Sequence, residues 1–68
     1  MKLEEAIVYC LATSHHGMTT DKIAEMINSK RLVVNRNGAK VSSSQVYAVI
    51  MRYPSTFCKA EGRIMLLM

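Results

Sequence analysis

The stretch from Lys40 to Met68, KVSSSQVYAVIMRYPSTFCKAEGRIMLLM, decides how this chain folds. Ser42-x-x-Gln45 has the form of a capping box, in which the serine hydroxyl takes one free amide at the start of a helix and the glutamine side chain reaches back to another. Val46, Val49, Ile50 and Tyr53 follow at i, i+3, i+4 and i+7, which gives that helix a buried side. Pro54 stops it, because the proline ring disfavours α geometry at Tyr53. Phe57 to Ala60 and Arg63 to Met68, separated by Glu61-Gly62, then read as two short antiparallel strands.

Upstream, Leu3, Ala6, Ile7, Cys10 and Leu11 repeat at helical spacing, with Glu4 and Glu5 placing negative charge near the amino end. Ser14-His15-His16-Gly17 breaks this first helix, and Gly17 suits a left-handed or otherwise tight connection. Thr19 offers a cap, Asp21 sits in the next first turn, and Ile23, Ala24 and Ile27 form an apolar face flanked by Met26. A second helix is therefore expected over about 20–30. Asn37-Gly38 between Leu32-Val33-Val34 and Val41 is a hairpin signal. An exposed loop is preferred for 32–41, with Leu32 or Val33 closing the core beneath the second helix.

At 68 residues the chain is expected to be a single domain spanning 1–68. A core of this size typically supplies only ~3–5 kcal/mol without staples. Half of the residues are apolar, which is rich for so small a chain, so some apolar side chains are expected to stay exposed or to meet a partner. Cys10 and Cys58 form no C-x-x-C pair and suggest neither a disulfide framework nor a zinc knuckle, which fits a reducing cytoplasm. The apolar run Ala6 to Ala12 follows two glutamates and is too short to span a bilayer, so neither a signal peptide nor a membrane association is expected.

Charge is unevenly divided. Residues 1–25 carry Lys2 and Lys22 against Glu4, Glu5, Asp21 and Glu25, whereas the remainder carries Lys30, Arg31, Arg36, Lys40, Arg52, Lys59 and Arg63 against Glu61 alone. The basic part attracts polyanions in a salt-dependent way, although a merely solvated basic surface has the same composition.

Three helices followed by a hairpin suggest an α+β fold, a small winged helix-turn-helix. Ala6 and Leu11, Gly17-Met18-Thr19-Thr20-Asp21-Lys22-Ile23-Ala24, the gap through Gly38, Ser43-x-x-Val46-x-x-x-Ile50, and Phe57 with Gly62-Arg63-Ile64-Met65-Leu66 carry a family likeness. On these residues the chain resembles the HARE-type winged helix and is similar to the amino-terminal domain of the bacterial RNA polymerase delta subunit. It departs in having Val41 where a proline often precedes the third helix, and Gly62-Arg63-Ile64 at the turn into the last strand. The resemblance implies a DNA-binding or transcription-associated adaptor rather than an enzyme, with a β-bridge at Met18.

In a winged helix the outward side of the third helix enters the major groove, while the wing and the loop before the helix touch the backbone. That places candidate contacts to double-stranded DNA at Ser43, Ser44, Gln45, Tyr47 and Arg52 on the helix, Arg36 and Lys40 in the loop, and Lys59 and Arg63 in the wing. Ala48 and Met51 lie on the same side and bring no hydrogen bonds. The unalternating run Ile64 to Met68 implies a strand covered on both faces. Tyr47, Met51, Met65 and Leu67 accordingly make up an alternative surface for a homodimer or a protein partner. Adjacent histidines in a turn do not share a helical face, and no nucleophile has an oriented base, so neither a metal, a cofactor, a small-molecule substrate nor catalysis is expected. Cys10 reads as a small core residue and Tyr9 as a half-buried ring.

Overall fold

The structure is a computed structural model that describes residues 1–14, 16–34 and 38–67. Three helices, α1 (Leu3–Thr13), α2 (Thr20–Lys30) and α3 (Ser43–Arg52), precede two strands, β1 (Phe57–Ala60) and β2 (Arg63–Leu66). The strands pair antiparallel, Phe57 opposite Leu66 and Ala60 opposite Arg63. This is the layout of a small winged helix.

Each helix begins where its local chemistry places it. The Thr19 hydroxyl accepts from the Lys22 amide at 3.2 Å. Ser42 and Gln45 satisfy each other as a capping box, at 3.2 Å from the Gln45 amide to the hydroxyl and 2.9 Å from the Ser42 amide to Oε1. At the start of α1 the Glu5 carboxylate accepts from the Lys2 amide at 2.9 Å. The hairpin closes through Glu61 and Gly62 at φ +53° and +78°, the left-handed pair that a two-residue turn matched to strand twist requires.

The core is wholly apolar. Ala6, Ile7, Cys10 and Leu11 from α1 meet Ile23, Ala24 and Ile27 from α2, Val46 and Ile50 from α3, and Phe57 and Ile64 from the hairpin. Ile7, Ile23 and Ile27 are fully sequestered, each contributing about 1.5–3 kcal/mol by leaving water. Burial pushes the Cys10 thiol above its ordinary pKa, with Lys30 acting weakly in the other direction. Leu32 and Val33 both pack partly against this core, as the position beneath α2 suggests.

Contacts distant in sequence lock the elements together. Met18 bridges Ile64, its amide donating to the Ile64 carbonyl at 3.1 Å and its carbonyl accepting from the Ile64 amide at 2.7 Å, so the α1–α2 connection lies along the outer edge of β2. The Asn28 side chain acts as a substitute peptide: Nδ2 donates to the Val41 carbonyl and Oδ1 accepts from the Val41 amide, both at 2.9 Å. That clamp carries Val41 into the core, 5% exposed, although the residue reads as loop from sequence. Asn28→Ala strands both Val41 groups in a partly buried place and is expected to cost about 1–3 kcal/mol. Urea denaturation checks this, and a loss under about 0.5 kcal/mol, ordinary for a surface substitution, would refute the clamp.

Three expectations need correction. Tyr53, assigned by its spacing to the buried side of α3, is 39% exposed, because the chain leaves helical geometry at this residue (φ −125°, ψ 64°) and the ring leaves the helical face. The second strand ends at Leu66 and not at Met68, which lies outside the described residues. Nor is β2 covered on both faces within the chain: Ile64 is buried while Met65 and Leu67 are 39% and 49% exposed. The helices cover only one face of the hairpin, so a run without polar alternation is still alternately buried. Of the segment 32–41, the described residues form no strand, Val34 and Gly38 to Lys40 are exposed, and 35–37, which include Asn37 of the Asn37-Gly38 hairpin signal, lie outside the described residues.

Candidate nucleic-acid interface

The outward side of α3 is set by what the core takes. Val46 and Ile50 turn inward and Val49 is partly buried, which leaves Ser44, Gln45, Tyr47, Ala48, Met51 and Arg52 exposed and Ser43 half-buried in the first turn. Tyr47 is 43% exposed and Met51 62%.

Strand parity brings the wing to this surface. Phe57, Lys59, Ile64 and Leu66 share one face of the hairpin by register, and Phe57 and Ile64 anchor that face in the core. Lys59, further towards the turn, extends past the core and stands over the ring of Tyr47, Nζ lying 5.7 Å from the ring centroid. A cation at that distance is attracted to the ring's negative face. The contact joins the wing to α3, and Lys59 remains exposed. Arg63 sits on the opposite parity, where its Nη1 donates to the His16 carbonyl at 3.4 Å and so lies beside the α1–α2 connection.

Lys40 is exposed in the loop ahead of α3. It lines a recess with Asn28, Arg31, Val33, Val34, Gly38 and Ala39, so Arg31 joins it there. Arg31 was not singled out by sequence reasoning. Its place depends on the left-handed turn it makes at the end of α2 (φ 52°, ψ 44°), which no spacing rule foretells for an arginine. Arg36 lies outside the described residues.

Among the described residues, Lys30, Arg31, Lys40, Arg52, Lys59 and Arg63 are all exposed, and none is in an ion pair; the salt bridge found is Lys22 to Glu25 at 3.9 Å. These six cations keep their full attraction for an outside anion. Also among the described residues, no group of three His, Cys, Asp or Glu side chains could hold a metal ion, and no helix is long and apolar enough to cross a membrane. Cys10 and Cys58 are both free thiols, the first buried and the second half-buried.

Comparison of the chain with protein families, with curated proteins and with solved structures finds no match.

Proposed function

We propose that this chain is a DNA-binding winged-helix module of the cytoplasm, acting in transcription regulation, which sets α3 towards the major groove and neutralises phosphates with the loop and the wing. The observation that carries this reading is the set of exposed, unpaired cations on the loop, α3 and the wing, with Lys59 held against Tyr47. Ser44, Gln45 and Tyr47 offer hydrogen-bonding groups to phosphates or base edges, and the amino end of α3 favours a phosphate. Ala48 and Met51 offer none, so weak discrimination among sequences is expected alongside substantial non-specific affinity. With contacts at Arg36, Lys40, Arg52, Lys59 and Arg63, log K for random duplex falls with log salt at a slope of about −4 to −5. Gel shift or fluorescence titration across a salt series measures it. A slope near zero, or no binding at low salt, overturns the reading.

The exposed apolar side chains support a second reading. Met51, Met65 and Leu67 together with Tyr47 offer a surface for a twofold homodimer or a protein partner. Sedimentation beside the titration separates the two, since a monomer at high concentration removes the homodimer. DNA binding and dimerisation are compatible, because twofold readers match twofold sites.

A further inference from the structure

A second recess is lined by none of those six cations. It is an open groove of about 330 Å³ between the first half of α1 and the turn that joins α3 to β1, lined by Glu4, Glu5, Val8, Tyr53, Thr56 and Phe57. None of these residues belongs to the set assigned above to DNA.

The groove has an apolar floor and an acidic lip. Val8 is packed partly on the core and Phe57 is 3% exposed, so their accessible atoms form the bottom of the recess, and the Tyr53 ring, left out of the core, forms one wall. Its charged members are two carboxylates. Glu5 accepts from the Lys2 amide, but Glu4, half-buried, has no hydrogen bond or ion pair among the described residues. Glu4 stands in the first turn of α1 with no cationic side chain paired to it among the described residues. Among the described residues no cation lines the groove, whereas the chain as a whole carries net positive charge.

We infer that this groove docks a basic amphipathic segment of another protein, one that inserts a bulky apolar side chain between Val8, Tyr53 and Phe57 and sets a lysine or arginine against Glu4 and Glu5. Charge complementarity selects that partner. A nucleic acid would bring phosphates against two carboxylates with no cation to receive them, and an acidic peptide would meet the same repulsion. A basic segment is repelled by the cations of α3, the loop and the wing, and is attracted by the two carboxylates at the lip of the groove. Tyr53 suits such an interface, since its ring offers apolar area and its hydroxyl a hydrogen bond at low conformational cost. The site is independent of the DNA reading, and the two could be occupied together.

Amide NMR titration of the whole chain with three peptides tests the inference: an amphipathic Leu/Lys peptide, its Leu/Glu counterpart, and oligolysine. The Leu/Lys peptide should shift the amides of Val8, Thr56 and Phe57, while the other two leave them in place. Glu4→Lys should weaken the Leu/Lys peptide about tenfold and admit the Leu/Glu peptide, because the interaction is set by charge at the lip. Tyr53→Ala should weaken the Leu/Lys peptide without admitting the other. Equal effects of Leu/Lys and oligolysine, shifts confined to Met51, Met65 and Leu67, or an unchanged affinity in Glu4→Lys would overturn it. So would concentration-dependent shifts at the groove without peptide, which would mark a second copy of the chain as its occupant. Failure of the DNA titration leaves these outcomes untouched.

Discussion

Gly17→Ala is expected to leave the domain close to its unfolding threshold, while Gly62→Ala, a substitution at nearly the same backbone geometry, leaves it folded. Both glycines are left-handed, Gly17 at φ +76° and Gly62 at φ +78°. An L side chain costs roughly 1–2 kcal/mol there, so the conformational penalty is common to both. They differ in what a Cβ would meet. At Gly62 there is open space, whereas at Gly17 the new carbon would stand 2.9 Å from the Ile64 carbonyl oxygen and 3.0 Å from the Met65 Cγ.

The Met65 side chain can move aside, but the Ile64 oxygen is backbone and is the acceptor for the Met18 amide. Relieving the contact pushes the α1–α2 connection off β2 and strains the bridge that joins them. A further loss of about 1–3 kcal/mol is expected, for a total near 2–5 kcal/mol against a stability of the same size. Urea melts followed by circular dichroism give both values. Equal losses at the two positions would show that the approach of Gly17 to β2 is not a constraint on folding.

Reversing Lys59 and Arg63 to glutamate is expected to lower affinity for random duplex at least about 100-fold at ~0.1 M salt, since each phosphate contact contributes close to one power of ten there. Both side chains are exposed, so the fold should survive. Lys59 leaves the Tyr47 ring and Arg63 gives up a long, exposed bond to the His16 carbonyl, which together cost about 1 kcal/mol or less. Reversing Lys2 and Lys22 alters net charge by the same amount on the acidic part of the chain. That control should reduce affinity only through the weaker overall field. If both pairs lower binding equally, net charge governs binding and the wing is not the contacting surface. Circular dichroism of the four-residue set of variants confirms that each remains folded.

The two experiments address contacts of different visibility. The helix limits and the hairpin turn were legible in the chain because each depends on groups within a few residues: Thr19 caps Lys22, Ser42 and Gln45 cap each other, and Glu61-Gly62 occupies a two-residue turn. The apolar faces of α1 and α2 could be read for the same reason, the helical repeat bringing residues three and four apart to one side. The periodicity of α3 carried the reading one step too far, to Tyr53, since a repeat does not register where the backbone leaves the helix.

The candidate interface was legible only as composition. Which cations are exposed and unpaired, that Arg31 shares a recess with Lys40, and that Lys59 meets Tyr47 depend on how β1 and α3 pack, 12 residues apart at that contact by number and adjacent only after folding. The acidic groove is of the same kind, being made by α1 and a turn near the other end of the chain.

By itself, then, the order of residues determined three amphipathic helices, the caps of α2 and α3 and a terminal hairpin, because those follow from periodicity and from hydrogen bonds that close locally. Tertiary structure alone decided that Gly17 must lack a side chain, that Asn28 holds Val41, and that one face of β2 stays open. Each of these is settled by the approach of backbone or side chains from separate elements, and no local pattern encodes which element will stand opposite.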